Sequence, residues 1–387
     1  MLKPSVQICL VYNTATANIT PALDPQFAPQ EIVLVYATAQ NQQAEDLENV
    51  LKTAGIKVSH WPLQDGWNIE HIRDRILELL IEREADDIAL NASGGTRPMS
   101  MVAYEIFAEF SKPIFYVHPH TDDVMWMHKR GLPTINCADR IKLPAFLQAH
   151  GAPVLSQGAK RGVPKNLRTL TDELVEHAEL LAKPLAALNW LAQQAEQTLQ
   201  SPKLSASQEN WHELQALIQR MQAEGVLDYR YQCLQFPDEE ARFFVNGGWL
   251  ENHTFSIAYG LRKEIPEIQD VGCSVEIGRD DTGRVVKNEM DVTFLANNHL
   301  YIIECKTKRF NAHGDNPDSP GSEILYKLDT LKGLFGGLHT KAMLVSYHPL
   351  SNWDMQRAKD LGLKVCTARM LPQLRSVMKQ WIEDQED

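Results

Sequence analysis

The chain has 387 residues, 44% hydrophobic and 23% charged, which is the make-up of a globular protein of two or three domains and excludes a disordered or fibrous one. Its 38 Lys and Arg against 50 Asp and Glu leave a formal charge of −12, which disfavours a general DNA-coating protein but permits a local basic groove. No apolar run reaches the roughly 18 residues of a membrane span; Gln7–Tyr12 is too short, with flanks too polar, for a signal peptide; and six cysteines without a CxxC pair give neither a disulfide framework nor a zinc site, so a reducing cytoplasm is expected.

Residues 1–150 alternate strand-like and helix-like runs. Val6–Val11, Glu31–Ala37, Ile56–His60, Asp87–Leu90 and Pro113–His118 read as buried strands, while Ala44–Ala54, Ile69–Glu84 and Pro98–Phe110 have helical periodicity. The alternation predicts an α/β domain, a Rossmann-like parallel sheet with helices on both faces, which binds ligands at the carboxyl ends of its strands. There, Asn91-Ala92-Ser93-Gly94-Gly95-Thr96-Arg97-Pro98-Met99 follows a strand and opens a helix. Gly94 and Gly95 permit positive φ and close backbone approach. The helix N-terminus offers free N–H groups, Ser93 and Thr96 add hydroxyls, Arg97 adds a cation, and Pro98 suits the first turn. This is the chemistry of a phosphate or nucleotide cradle, without Walker A or GxGxxG spacing; a capped tight turn is the plain alternative. The loop Tyr12–Asn18 lies at the same sheet edge, where its amides and hydroxyls can read a base edge or ribose. His118 and His120 either touch a phosphate or form a surface loop.

Gly, Pro and Ser cluster at Pro153–Lys165, which reads as a linker. Thr169–Leu199 and Ser205–Glu224 are predicted helices, the second capped by Ser207 and ended by Gly225. Val226–Phe236 and Ala241–Val245 read as a hairpin around Pro237–Glu240. Residues 151–245 thus form a linker and a helical, winged-helix-like connector. Tyr229, Arg230 and Tyr231 in the wing either stack on a single strand or face solvent. Residues 246–387 open with a helix at Asn246–Gly260. Strands follow at Val271–Ile277, Glu289–Ala296 and His299–Lys306, then a helix at Glu323–Leu334, a strand at Ala342–Ser346, a helix at Trp353–Leu361, a strand at Lys364–Thr367 and a helix at Leu371–Glu383, an α-β-β-β-α-β core.

Glu289–Lys306 is the most informative stretch. With Asn297–Asn298 as a two-residue type I′ turn, Asp291 opposes Glu304 and Glu289 opposes Lys306. Two opposed carboxylates destabilise a sheet, and apolar neighbours (Val292, Phe294, Ile302, Ile303) imply that these are buried. Buried charges are paired or bind metal, and a divalent cation, magnesium or manganese, takes such oxygen ligands. An exposed hairpin with an ion-pair ladder is the alternative. Lys306, on the same strand face as Glu304, can orient a metal-bound water or stabilise phosphate charge. Glu251, in Asn246-Gly247-Gly248-Trp249-Leu250-Glu251, is either a further acid of the site or a surface carboxylate. Glu276 reads as a surface group rather than a further acid of the site, and Glu323 and Lys327, four apart on the helix after the site, either form a helix ion pair or face substrate. Lys306, Lys308, Arg309 and His313 suggest a basic path along a loop to Gly321.

Asp291 followed by Glu304-Cys305-Lys306 and preceded by Glu251 resembles the PD-(D/E)xK nuclease pattern on a restriction-endonuclease-like core, with Met290 where that pattern has proline. Asn91–Met99 resembles the signature of CARF (CRISPR-associated Rossmann fold) domains. Together the chain resembles the single-CARF ancillary nucleases of type III CRISPR antiviral defence. The resemblance implies a homodimer that binds cyclic oligoadenylate, usually cyclic tetra-adenylate, across a two-fold axis. It implies ligand contacts at Asn13, Thr14, Ser93, Gly94, Gly95, Thr96, Arg97 and Met99. It implies catalysis by Glu251, Asp291, Glu304 and Lys306, with a metal on Asp291 and Glu304, and allosteric activation of cutting of single-stranded RNA or DNA or nicking of duplex DNA. Movement is expected in the linker near Gly151–Lys165 and in the helical connector. Two other readings remain: a nucleotide-sensing DNA-binding regulator with an inactive nuclease core, and a domain that hydrolyses its own cyclic signal. No base–nucleophile pair near Ser93–Arg97 supports the latter.

Overall fold

The computed structural model describes residues 3–13, 15–128, 132–160, 162–281, 283–308, 320–335 and 340–384. The first unit contains β1 (Val6–Leu10), α1 (Thr16–Leu23), β2 (Glu31–Ala37), α2 (Asn41–Thr53), β3 (Lys57–Leu63), α3 (Ile69–Glu82), β4 (Ile88–Asn91), α4 (Arg97–Glu109), β5 (Ile114–Val117), β6 (Asp123–His128), β7 (Ile135–Asn136) and α5 (Leu143–Ala149). Its sheet runs β3-β2-β1-β4-β5-β6-β7, parallel through β5 and antiparallel beyond. The five expected strands are present. β1, β2 and β4 are fully buried, as strands covered on both faces must be. The order reverses between β1 and β4, so the loops after these two strands open into the crevice where such sheets take ligands.

The sequence reading missed α1, β6, β7 and α5. Pro21 lies inside α1, which lacks a side-chain N-cap, so the usual start signals are absent there. The linker reading of Pro153–Lys165 also changes. Val154–Gln157 forms β8, the edge strand of the second large sheet, antiparallel to its neighbour. The chain is therefore tied to that sheet at Val154–Gln157.

The middle of the chain holds α6 (Arg168–Glu176), α7 (Ala178–Gln194), α8 (Ala206–Glu209), α9 (His212–Ala223), β9 (Asp228–Arg230), β10 (Cys233–Gln235) and α10 (Glu239–Phe243). Each of the two expected long helices is broken, at His177 (φ −107°, ψ 27°) and at Trp211 (φ −86°, ψ 100°). Ser205 rather than Ser207 caps, in a capping box with Gln208. The hairpin turns at Tyr231 and Gln232, both at positive φ. At the expected turn, Asp238 instead accepts from Ala241 N and caps α10.

The last unit comprises α11 (Trp249–Leu261), β11 (Ile268–Asp281), β12 (Arg284–Ala296), β13 (His299–Lys306), α12 (Pro320–Leu334), β14 (Thr340–Ser346), α13 (Asn352–Asp360), β15 (Lys364–Thr367) and α14 (Leu374–Glu383). Its sheet order is β15-β14-β13-β12-β11-β8. One buried cluster joins the two units: Leu47 and Leu51 of α2, Leu143, Phe146 and Leu147 of α5, Val275 and Met290 of the second sheet, and Leu325 and Leu328 of α12. Among the described residues no helix is long and apolar enough to cross a membrane, and all six cysteines are free.

Candidate functional site

β12 and β13 pair from Val292–Ile303 to Ala296–His299, and Asn297 and Asn298 both stand at positive φ, the turn read from the sequence. Past Val292 the strands part. Met290 and Glu289 continue against Val275 and Glu276 of β11. Glu304, Cys305 and Lys306 continue against Leu344, Val345 and Ser346 of β14. The expected pairs Asp291–Glu304 and Glu289–Lys306 are therefore absent from the ladder. Instead Cys305 N donates to Asp291 Oδ2 at 2.7 Å. The parting puts both carboxylates at the mouth of a fork, and a side chain satisfies the N–H that the ladder releases.

The charges meet there. Lys306 Nζ is 2.7 Å from Glu304 Oε1 and 3.6 Å from Asp291 Oδ2. Lys327 Nζ, from α12, lies 3.0 Å from each oxygen of Glu304. Glu304 is 2% exposed and Asp291 8%. Burial, then the Glu304 charge, pushes the Asp291 carboxyl above the ordinary carboxylate range. Burial alone would lower the Lys306 ammonium; the Asp291 and Glu304 charges outweigh it and raise it, so Lys306 holds its proton.

Glu251 comes to the site through its glycines. Gly247 has φ +112°, and a Cβ there would collide with Thr307 Oγ1, while one on Gly248 would collide with the Phe243 ring. The start of α11 thus lies against the residue that follows Lys306. Thr307 is held in turn by Asn189 Nδ2 of α7, 3.0 Å from Oγ1 and 3.3 Å from its carbonyl oxygen. Burial, then Asp291, pushes the Glu251 carboxyl up, with Lys306 opposing. The four residues named from the sequence therefore act on one another.

Two buried carboxylates beside ammonium groups suit a hard divalent ion, which completes its shell with water and substrate phosphate. Among the described residues, no group of three or more His, Cys, Asp or Glu side chains gathers at metal-ligand spacing. Asp291 and Glu304 are the two carboxylates of the fork that would face such an ion.

Sequence reasoning missed Thr307 and Asn189, and for Lys327 it missed the partner. Lys327 pairs with Glu304, which corrects the expected Glu323–Lys327 helix pair. Its signal was its place on the helix next after the Glu304 strand. Glu276 is a surface group as expected, 2.8 Å from Lys287. Arg309 and His313 lie outside the described residues.

In the N-terminal loop the structure separates the candidates. Gly94 packs on the end of β1, where a Cβ would collide with the Leu10 carbonyl oxygen, and Gly95 has φ +77°. Thr96 donates to the Gly66 carbonyl oxygen at 2.6 Å and accepts from Met99 N, capping α4. Thr96 and Met99 are both buried, so their side chains build the loop where ligand contact was expected. Ser93 Oγ accepts from Val117 N at 2.8 Å. Asn91 holds the loop to α1 through Ala17 O and Asn18 Oδ1. Asn13 and Arg97 are exposed, while Thr14 lies outside the described residues. His118 Nδ1 accepts from the backbone N–H groups of His120 and Thr121, a surface turn.

Residues 6–142 match the family described as the Card1 CARF domain, and residues 238–385 that described as the Card1-like endonuclease domain. The crystal structure of protein VC1899 from Vibrio cholerae is 32% identical, with a TM-score of 0.88 over 98% of each chain. Can2 from Sulfobacillus thermosulfidooxidans, solved with cyclic tetra-adenylate, is 23% identical, with a TM-score of 0.80 over 97% of this chain and 99% of that one. A type III CRISPR defence DNA nuclease activated by cyclic oligoadenylate is 14% identical, with a TM-score of 0.52 over 94% of this chain and 50% of that one. The last two are likenesses of fold. No curated protein matches the chain.

Proposed function

Because the chain belongs to the Card1 family, with its CARF domain and its endonuclease domain, we propose that it is a metal-dependent endonuclease switched on by a cyclic oligoadenylate in type III CRISPR defence. The observation that carries this reading is the meeting of Asp291, Glu304 and Lys306 at the fork of β12 and β13, with the charge of Asp291 felt at Glu251. The same fold holds cyclic tetra-adenylate in Can2, which favours that ring as the activator. A two-fold ring bound at the loops after β1 and β4 calls for a homodimer, the same patch presented from each subunit.

Asp291 and Glu304 would hold a manganese or magnesium ion. Held there, such an ion would supply Lewis acidity and would ease ionisation of a water. Lys306 keeps its ammonium between the two carboxylates and faces charge that develops on the scissile phosphate of single-stranded RNA or DNA, or of a nicked duplex. Glu251 holds a proton in the metal-free protein because burial disfavours its charge. In the sensor, Arg97 and the free N–H groups at the start of α4 meet the ring phosphates, and Asn13 meets a base or ribose.

The path between sites runs through the Asn297–Asn298 turn. Asn298 Nδ2 donates to Asp122 Oδ2 at 2.9 Å and Asp139 Oδ1 at 3.2 Å, and Asn298 Oδ1 accepts from Gln269 at 2.6 Å. The hairpin that carries both carboxylates is thus anchored in the sensor unit. An inactive-core regulator is disfavoured, since it has no need of two buried carboxylates and a lysine gathered at one fork.

The test is cleavage of fluorescent single-stranded RNA, single-stranded DNA and supercoiled plasmid, in manganese or magnesium, with and without cyclic tetra-adenylate. Ligand-dependent cutting that Glu304→Ala abolishes is expected. Cutting by Glu304→Ala at the parental rate would refute the site. Tight duplex retention without cutting in manganese would favour the regulator.

A further inference from the structure

Glu304 is held by two ammonium groups, and they are not equivalent. Lys306 sits on the same strand, 2.7 Å from Oε1, and also reaches Asp291 at 3.6 Å. Lys327 arrives from α12 and stands 3.0 Å from each oxygen of Glu304, the place that a chelated cation takes on a carboxylate. Its side chain is 37% exposed against 29% for Lys306, and Glu304 is its one ion-pair partner among the described residues. On the same helix, the buried Leu325, Leu328 and Leu331 fix α12 against the sheet, so Lys327 can swing without moving the backbone.

We propose that Lys327 is a resident counter-ion: it neutralises Glu304 while no metal is bound and yields that carboxylate to the divalent ion. The inference rests on the metal reading of Asp291 and Glu304. Without Lys327, Glu304 would be a buried carboxylate served by Lys306 alone, which Asp291 shares. With it, metal binding is an exchange of one ammonium for one ion. Lys327 is a positioning residue. It holds Glu304 for the metal, and once displaced its charge stays beside the entering phosphate.

The experiment is manganese binding to the full chain without substrate, read as free ion by electron paramagnetic resonance, for the parent, Lys327→Met and Lys327→Arg. Removal of a competing charge within about 4 Å should tighten manganese binding by about tenfold in Lys327→Met. Lys327→Arg keeps the charge and should stay near the parent. A purely structural lysine would leave affinity unchanged or weaken it when removed, and either result with a normally folded Lys327→Met overturns the proposal while the metal reading stands. A parent that binds no manganese overturns both. As a second readout, at saturating manganese and cyclic tetra-adenylate, Lys327→Met should raise KM for a single strand more than it lowers kcat. Loss of kcat at unchanged KM, with unchanged manganese affinity, would also overturn it.

Discussion

The loop after β4 and the fork of β12 and β13 both gather polar side chains at strand ends, and they use them in opposite ways. In the loop, Thr96, Ser93 and Asn91 are bound to other parts of the protein, namely Gly66, Val117, Ala17 and Asn18. Backbone N–H groups, Asn13 and Arg97 are what it presents outward. At the fork, the partners of Asp291 and Glu304 are ammonium groups and one backbone N–H. Ammonium groups can be exchanged for another cation, whereas a bond to a carbonyl oxygen in a closed turn cannot. A recognition loop built for shape uses its side chains to hold the backbone; a site built for chemistry keeps charges that can be displaced.

The strongest way to break this contrast is to exchange a charge at the fork. Asp291→Asn retains an oxygen that accepts from Cys305 N, so the fold is expected to stand. Cutting should fall by about a hundredfold or more, while calorimetry finds cyclic tetra-adenylate binding unchanged. Loss of ring binding would mean that the two regions do not divide the work in this way. Gly94→Ala is the converse, since its methyl group meets the Leu10 carbonyl oxygen. Roughly 1–3 kcal/mol of stability should be lost, ring binding should weaken, and manganese binding to the same protein should persist.

Much of this was legible in the sequence, for identifiable reasons. Asn297–Asn298 fixes a register because both residues tolerate positive φ. The two glycines before Thr96 mark a place where backbone must approach backbone. The parting of β12 and β13 was not legible, because the outer neighbours hold it open: β12 stays paired to β11, and β13 to β14, a strand beyond the next helix, where the two release each other. The partner of Lys327 was hidden for the same kind of reason. Helical spacing offered it Glu323, and only the packing of α12 on the sheet offers it Glu304. The sequence does not tell a Thr96 hydroxyl that faces a crevice from one that caps a helix, nor a Met99 side chain on the ligand side from one packed inward.

Smaller substitutions sharpen the contrast within the loop. Arg97→Ala removes an exposed cation, so ring affinity should drop by about tenfold with the melting temperature unchanged. Thr96→Ala should do the reverse. Loss of the cap costs about 1 kcal/mol, seen in the melting temperature, while ring affinity stays near the parent. If Thr96→Ala instead weakened ring binding as strongly as Arg97→Ala, its hydroxyl would belong to the ligand after all.

The smallest effect expected has a sign that only the fork can produce. Burial, then Asp291, holds the Glu251 carboxyl above its unfolded value. The folded protein therefore binds that proton more tightly than the unfolded chain. Its stability contribution is fully present below the ordinary carboxylate range and is lost as pH rises through the raised value. Glu251→Gln imitates the protonated form at every pH. In metal-free buffer its melting temperature should match the parent near about pH 5 and exceed it by about 2–4 °C near about pH 9. Manganese should narrow that gap, because a cation beside Glu251 offsets the cost of its charge. Thr96→Ala, which changes no charge, should cost the same at both pH values. A Glu251→Gln protein that melts below the parent near about pH 9 would show that the ionised carboxylate stabilises the metal-free fork, contrary to the electrostatics of its burial.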